Sequence, residues 1–180
     1  MQINFYEGKQ MKYRDEQKLI LNVKDNLTFG STIGEAITYL VKQFNWNRST
    51  LRPTANFFTD IDGFNDVVFL RKFKITDESI SAEKFYGGKA EVINILDSNF
   101  SVHTELFLTQ NAVQKWLLDL NQRPRLLFLL KKNKISGEKN FRFEGVFQID
   151  KTSTDTVRVY KKIAVVYNRK VPFAYKKINL

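Results

Sequence analysis

The last third of the sequence is patterned for β-strands, and this pattern restricts the fold more than any other feature of the chain. In residues 141–150 apolar side chains occupy alternate positions, with polar side chains between them. Successive side chains of a strand point to opposite faces, so we expect one set to face the core and the other to face solvent. The predicted inward set is Phe141, Phe143, Phe147 and Ile149, and the predicted outward set is Arg142, Glu144, Gln148 and Asp150.

Strands are also predicted on both sides of this segment. The apolar run Leu126–Leu130 is short enough to be a strand buried on both faces, and the polar segment 131–140 predicts a hairpin tip after it. A further strand is predicted over 156–167, and its predicted inward side chains are Val157, Val159, Ile163, Val165 and Tyr167. Lys161 interrupts that apolar face, which predicts a bulge or an edge position. The outward side chains predicted for this strand are Arg158, Tyr160 and Lys162.

Two helices are predicted from a period of 3.6 residues. The first begins after Thr32, which together with Glu35 fits a capping box. Its predicted core-facing residues are Ile33, Ala36, Ile37, Leu40, Val41 and Phe44. The second covers about Gln110–Leu120, and its predicted core-facing residues are Val113, Trp116, Leu117 and Leu120.

These elements predict an α+β fold, namely a mostly antiparallel β pseudobarrel of about seven strands with two core helices. Two helices are too few to supply the crossovers of a doubly wound parallel sheet. The 180 residues suit one domain, and the sequence contains no internal repeat and no linker rich in Gly, Ser or Pro. We therefore expect a single domain over residues 1–180.

Composition excludes several classes of site. The chain has no cysteine, which rules out disulfides, thiol nucleophiles and the usual structural zinc sites. The N-terminus lacks the apolar region of a signal peptide, and no segment approaches the length of a membrane span. We therefore expect a cytoplasmic protein that does not associate with a membrane.

The net charge of +10 is the strongest global signal, and it is unevenly distributed. Residues 1–90 carry 13 lysines and arginines against 11 acidic residues, whereas residues 91–180 carry 16 against 8. A concentrated positive surplus attracts polyanions and speeds their encounter with the protein. This distribution favours nucleic acid as the partner, although solvated surface charge and an acidic protein partner are alternatives.

Catalytic and metal sites receive little support from the sequence. His103 is the only histidine, so we expect it to form hydrogen bonds in a structural role. Asp60, Asp62 and Asp66 lack the glycine and the final glutamate of a calcium loop, and we expect them to form a turn. We predict no catalytic residue, no metal and no cofactor. A magnesium-dependent nuclease using Asp15 and Glu16 is the alternative from another class.

The candidate DNA-binding residues form two predicted arms. One is the hairpin and the outward faces of the strands beside it, where lysines would meet phosphates and arginines would meet phosphates or base edges. The other is the connection around residues 47–56, which is rich in groups that can read base edges. The predicted set is Arg48, Arg52, Asn56, Lys131, Lys132, Lys134, Lys139, Asn140, Arg142, Arg158, Tyr160 and Lys162.

The segments 141–150 and 157–163 resemble a strand pair in the DNA-recognition modules of prokaryotic restriction endonucleases. The shared feature is the string Phe143-Glu-Gly-Val-Phe147, and the similarity covers about 25 residues. This strand pair is similar to one in the N-terminal modules of McrBC- and LlaJI-type enzymes, which include B3-like and SRA-like pseudobarrels. The resemblance implies a target-recognition domain that binds double-stranded DNA and leaves cleavage and NTP hydrolysis to other domains or subunits of a restriction complex.

The resemblance implies two ways of recognising DNA. A B3-like barrel would read unmodified bases with both arms, and the two separated arms favour this version. An SRA-like barrel would instead flip a modified base into an aromatic pocket. A PUA-like barrel that binds RNA is a third possibility.

Overall fold

A curled, mixed β-sheet forms the body of the molecule. The computed structural model describes residues 19–44, 57–59, 66–78, 91–115 and 117–169. A single 3-10 turn, Val23–Asp25, follows the first strand. The elements are β1 (Leu19–Asn22), α1 (Ile33–Phe44), β2 (Phe57–Thr59), β3 (Asp66–Leu70), β4 (Lys74–Ile75), β5 (Val92–Leu96), β6 (Val102–Phe107), α2 (Gln110–Lys115), β7 (Arg125–Lys132), β8 (Lys139–Ile149), β9 (Val157–Ala164) and β10 (Val166–Arg169).

Eight strands form one sheet in the order β2-β3-β7-β8-β9-β6-β5-β4. The pairs β3–β7 and β4–β5 are parallel, and the other pairs are antiparallel. β1 and β10 form a separate antiparallel pair beside β8. The α+β class and a mostly antiparallel sheet, both predicted from the sequence, are confirmed.

α1 covers one face of this sheet, which we call the helix face. Ala36, Ile37 and Leu40 are buried against a cluster that includes Phe69 and Phe128. The helix begins as predicted, because the Glu35 amide donates to Thr32 Oγ1 and the Thr32 amide donates to Glu35 Oε2, at 3.2 Å each. This reciprocal cap satisfies backbone donors that the helix itself cannot pair.

The opposite face is concave. Leu96 on β5 packs in one buried cluster with Leu127 and Leu129 on β7, although three strands separate β5 from β7 in the sheet. A flat sheet would hold these side chains far apart, since neighbouring strands lie almost 5 Å from each other. The sheet therefore curls into a half-barrel, with this cluster in its interior.

Two bulges change the pattern of β8 and β9. The register of β7 with β8 passes from Leu127–Gly145 to Phe128–Phe143 and omits Glu144. Gly145 has a φ of +138°, a backbone conformation that residues other than glycine rarely adopt. The register of β8 with β9 likewise omits Ile163. The predicted bulge in β9 is thus present, but β9 lies between β8 and β6 and is not an edge strand.

The inward set predicted for β8 is buried, but on two different faces. Phe141 and Phe143 pack on the helix face, whereas Phe147 and Ile149 pack on the concave face. The bulge at Glu144 shifts the alternation by one residue, and both faces of the sheet are covered. Glu144, predicted to point outward, is buried for the same reason.

The prediction for β9 assigned its two faces the wrong way round. Arg158 and Tyr160, predicted to point outward, are 4% and 1% exposed. Ile163 and Val165, predicted to point inward, are exposed, and Lys162 is half-buried. A period of two separates two faces without showing which of them meets the core. Here the curvature of the sheet encloses the face that carries Tyr160.

The second predicted helix is shorter than expected. α2 ends at Lys115, and Leu117 and Leu120, predicted to face the core, are exposed. Ala112 is the buried apolar residue of this helix, so α1 is the principal core helix among the described elements. No helix in the described ranges is long and apolar enough to cross a membrane.

Candidate nucleic-acid interface

The ends of β7 and β8 and the turn that connects them form a hydrogen-bonded hairpin, residues 131–142, which we call the basic hairpin. Its strands pair as far as Lys132–Lys139. At the tip, the Asn133 side-chain oxygen accepts hydrogen bonds from the amides of Ile135 (2.8 Å) and Ser136 (3.3 Å). The Asn133 amide donates to the Glu138 carbonyl at 2.7 Å, and the Gly137 amide donates to the Asn133 carbonyl at 3.0 Å. The tip therefore has a defined shape.

The basic hairpin presents positive charge to solvent. Lys132, Lys134 and Lys139 are exposed and form no ion pair within the part of the chain that the structure describes. Glu138 is the one acidic residue in residues 131–142. Because these ammonium groups are not neutralised by the protein, they are available to phosphate groups.

The base of the hairpin is held by a buried carboxylate. Glu144 accepts hydrogen bonds from Lys131 and, at 3.2 Å, from Lys162. The Lys131 ammonium also lies 4.1 Å from the centre of the Phe100 ring, a cation–π contact. One carboxylate serves two lysines, so this site retains a net positive charge beside the hairpin.

A narrow cleft runs between the hairpin and the segment that follows β1. Arg142 Nη1 donates to the Asn26 side-chain oxygen at 3.5 Å, while Arg142 Nε is buried without a hydrogen-bond partner. The cavity volume is about 60 Å³, which suffices for about two water molecules and not for a nucleobase. Its walls are formed by Leu21, Asn22, Val23, Asn26, Leu27, Phe29, Lys131, Arg142, Phe143 and Glu144.

A second group of polar side chains lies on the concave face, and we call this group the buried polar cluster. Its members are His103, Glu105, Arg125, Arg158 and Tyr160. His103 is opposite Tyr160, and Glu105 is opposite Arg158, across the β6–β9 pair. Arg125 donates to Glu105 at 2.7 Å, and its guanidinium lies 3.5 Å from the centre of the Tyr160 ring. These contacts join β6, β7 and β9 through the interior of the half-barrel.

Burial changes the acid–base behaviour of this cluster. Burial lowers the pKa of His103 to about 4, so the imidazole is neutral at pH 7. Burial opposes ionisation of Glu105, but attraction from Arg125 keeps the pKa of that carboxyl below its usual value. Burial also raises the pKa of Tyr160, whose hydroxyl donates to Gln122 Oε1 at 3.1 Å.

Several polar atoms in the cluster lack a hydrogen-bond partner among the described residues. They are the buried donors Arg158 Nε and Nη2 and the buried ring nitrogen His103 Nδ1. The Arg158 guanidinium instead lies 4.2 Å from the centre of the Phe107 ring. Unpaired buried polar groups each cost about 1–3 kcal/mol. The other ring nitrogen of His103, Nε2, lies 3.0 Å from Asn94 Oδ1, which confirms a hydrogen-bonded role for this histidine.

The structure thus divides the predicted DNA-binding residues into three groups. The basic hairpin brings together Lys131, Lys132, Lys134, Lys139, Asn140 and Arg142, and Lys162 reaches its base through Glu144. Arg158 and Tyr160 belong to the buried polar cluster, so the exposed position predicted for them is wrong. The other predicted arm, Arg48, Arg52 and Asn56, lies outside the described residues, as do Asp15, Glu16, Asp60 and Asp62.

Sequence reasoning missed the residues that organise both groups, namely Glu105, Arg125 and Glu144. One signal was available for Glu144, because the glycine that follows it interrupts a strand pattern and is typical of a bulge. No local signal pairs Arg125 with Glu105, which lies 20 positions away. Within the described ranges no group of three or more His, Asp or Glu side chains could hold a metal ion.

Comparisons with known proteins indicate a fold rather than a family. No protein-family model and no curated protein matches the sequence. Among solved structures, the chain is similar to the 5-hydroxymethylcytosine-specific restriction enzyme AbaSI, with a TM-score of 0.56 and 16% sequence identity over 85% of this chain. The similarity spans 43% of the AbaSI chain, so this chain corresponds to less than half of that enzyme. The fold is therefore one that occurs within a restriction enzyme.

Proposed function

We propose that this chain is a domain that binds double-stranded DNA and recognises the target of a restriction enzyme. The observation that carries this proposal is the basic hairpin, whose Lys132, Lys134 and Lys139 are exposed and form no ion pair with any residue that the structure describes. A two-stranded β-hairpin fits the major groove of DNA, and its lysines would meet phosphates on either side. The fold shared with AbaSI supports the same class of partner.

Modified cytosine is the second candidate target. It is favoured by the specificity that the name of AbaSI states, since that enzyme acts at 5-hydroxymethylcytosine. The cleft beside Arg142 is too small for a flipped base, so a base-reading pocket would need another part of the chain.

The domain is proposed to bind without cleaving. The histidine is buried and neutral, and it contacts Asn94 and Tyr160 rather than solvent. Cleavage and NTP hydrolysis would then belong to other domains or subunits. Incubation with duplex DNA and Mg²⁺ should give no product; cleavage that disappears in Asp15→Ala or Glu16→Ala would show a nuclease instead.

Binding to three matched duplexes tests the proposal. The duplexes share a sequence enriched by the protein from a randomised library, and their cytosines are unmodified, 5-methylated or 5-hydroxymethylated. Fluorescence anisotropy should show submicromolar binding to at least one duplex, and stronger binding to a modified form would identify modified-base reading. Equal binding to duplex RNA would contradict a DNA-specific role.

A charge-reversal variant supplies the control. Lys132→Glu, Lys134→Glu and Lys139→Glu together should abolish binding while leaving the folded structure intact, because all three side chains are exposed. Retention of full affinity by this variant would move the interface away from the basic hairpin.

A further inference from the structure

The tip of the basic hairpin carries an apolar side chain that is almost fully exposed among the described residues. Ile135 is 98% exposed, more than any other large apolar side chain in the described part of the chain. Single exposed apolar residues are common and need no explanation by themselves. Ile135 differs because of its position, next to Lys134 and at the end of a projecting hairpin with exposed lysines on both strands.

The hairpin extends beyond the strands that support it. β3 pairs with β7 only as far as Leu129, and β9 pairs with β8 only from Val146 onward. Residues 130–132 of β7 therefore pair only with residues 139–141 of β8 among the described residues, and Phe141 is bonded in turn to the backbone of Phe29 and Gly30. At about 3.3 Å per residue, these residues carry the turn roughly 10 Å past the end of the β3 pairing.

The backbone holds Ile135 in one position. Its amide is bonded to the Asn133 side chain, and the turn is closed by the bonds of Asn133 to Glu138 and Gly137. A rigid turn loses little conformational entropy when it enters a groove, whereas a flexible loop must first be ordered. The exposed isoleucine is thus presented in advance of any contact.

We propose that Ile135 inserts between adjacent base pairs as an apolar wedge, while Lys132, Lys134 and Lys139 hold the neighbouring phosphates. This inference rests on the proposed DNA binding. Apolar side chains that enter a base step unstack it and kink the duplex, and the cost is offset by the phosphate contacts that the bend permits. Burial of one isoleucine side chain is too small an effect to hold a protein on a lipid surface, so DNA is the partner that this tip suits.

The test uses a duplex with 2-aminopurine at successive positions of the enriched site, together with fluorophores at its two ends. Wild-type protein should increase 2-aminopurine fluorescence at one step and shorten the end-to-end distance measured by energy transfer. Ile135→Ser should lose both signals and bind about tenfold more weakly, with an unchanged salt dependence, because no charge is altered. Ile135→Leu should retain both signals.

Ile75→Ser is the matched control, since Ile75 is an exposed isoleucine on the edge strand β4. It should bind and bend DNA as the wild type does. If the wild-type protein binds no duplex, the proposed function fails; if it binds but Ile135→Ser keeps the fluorescence and bending signals, only the wedge is overturned. Flotation with phosphatidylcholine–phosphatidylserine vesicles that is lost in Ile135→Ser, with DNA binding unchanged, would likewise overturn it in favour of a lipid contact.

Discussion

The basic hairpin and the buried polar cluster both contain basic side chains. Those of the hairpin face solvent, whereas those of the cluster are enclosed in the interior of the half-barrel. In the hairpin Lys132, Lys134 and Lys139 face solvent and have no acidic partner in the described ranges. In the cluster Arg125 is enclosed between Glu105 and the Tyr160 ring. The comparison shows that a basic residue on a strand is available to a ligand only if the curvature of the sheet leaves its face open.

The two regions should therefore respond differently to substitution. A buried charge depends on its partner, because removal of either leaves the other desolvated and uncompensated. An exposed charge contributes little to stability but acts on a polyanion through a field that salt screens.

Arg125→Met should destabilise the protein by about 3–5 kcal/mol, because it leaves Glu105 buried without its guanidinium partner. Urea unfolding followed by circular dichroism measures the change. Arg123→Met is the matched control, since Arg123 is exposed and two residues away, and its effect should stay within about 0.5 kcal/mol. Similar losses in both variants would remove the distinction between the two regions.

Gly145→Ala should destabilise the protein by about 2–3 kcal/mol, because the added Cβ would lie 2.8 Å from the Ala164 carbonyl oxygen at a φ of +138°. The loss should appear in thermal unfolding. Gly34→Ala in α1 is its counterpart: the added methyl has open space, and stability should rise by up to about 1 kcal/mol. If Gly145→Ala left the stability unchanged, the fold would not depend on the bulge at Glu144.

Acidification should weaken the fold through His103. Its folded pKa of about 4 lies below the ordinary 6.5, so below pH 6.5 the unfolded chain binds a proton that the folded chain excludes. The free energy of unfolding should have its full value well above pH 6.5. It should fall by about 2 kcal/mol between pH 7 and pH 5. The carboxyl groups of Asp97, Glu105 and Asp150 also have lowered pKa values, but they affect stability at lower pH. The ordinary pKa values of these groups are 3.8, 4.5 and 3.8.

His103→Gln tests the origin of this pH dependence. The amide keeps a donor for Asn94 but does not titrate, so chemical unfolding at pH 7 and pH 5 should give nearly equal free energies. An unchanged slope in the variant would assign the effect to other groups.

Lys134→Ala should have the smallest effect on the fold, within about 0.5 kcal/mol, because the side chain is exposed and forms no ion pair among the described residues. DNA binding should nevertheless weaken, and the slope of log affinity against log salt should fall by about 0.9 if one phosphate contact is lost. A salt titration by anisotropy provides the measurement. Lys151→Ala, on an exposed turn between β8 and β9, should leave the slope unchanged.

Local features of the fold were predictable. The spacing of apolar residues and the Thr32–Glu35 pair predicted α1 and its start. Leu126–Leu130 was predicted as a strand buried on both faces, and β7 is covered by the helix on one side and by the concave cluster on the other. The polar segment 131–140 predicted the hairpin, which carries Lys131, Lys132, Lys134 and Lys139. These features depend on neighbours within a few positions, which the sequence records directly.

The faces of β9 were not predictable in the same way. Alternation placed Arg158 and Tyr160 on the face opposite the valines, and this separation is correct. Apolar content then pointed to the valine face as the inward one. The half-barrel instead encloses Tyr160, and Arg125, Glu105 and Gln122 supply the polar contacts that permit its burial. Those partners come from distant segments.

The positions of β7, β8, β9 and α1 follow from the sequence alone, as do the strongly basic character of the chain and the concentration of positive charge in residues 91–180. The strand order, the half-barrel curvature, the pairing of Glu144 with Lys131 and Lys162, and the burial of Arg158 and Tyr160 depend on tertiary contacts. The reason is that propensity and periodicity are short-range properties of the chain. Whether a given face meets water depends on contacts between segments that are far apart in sequence.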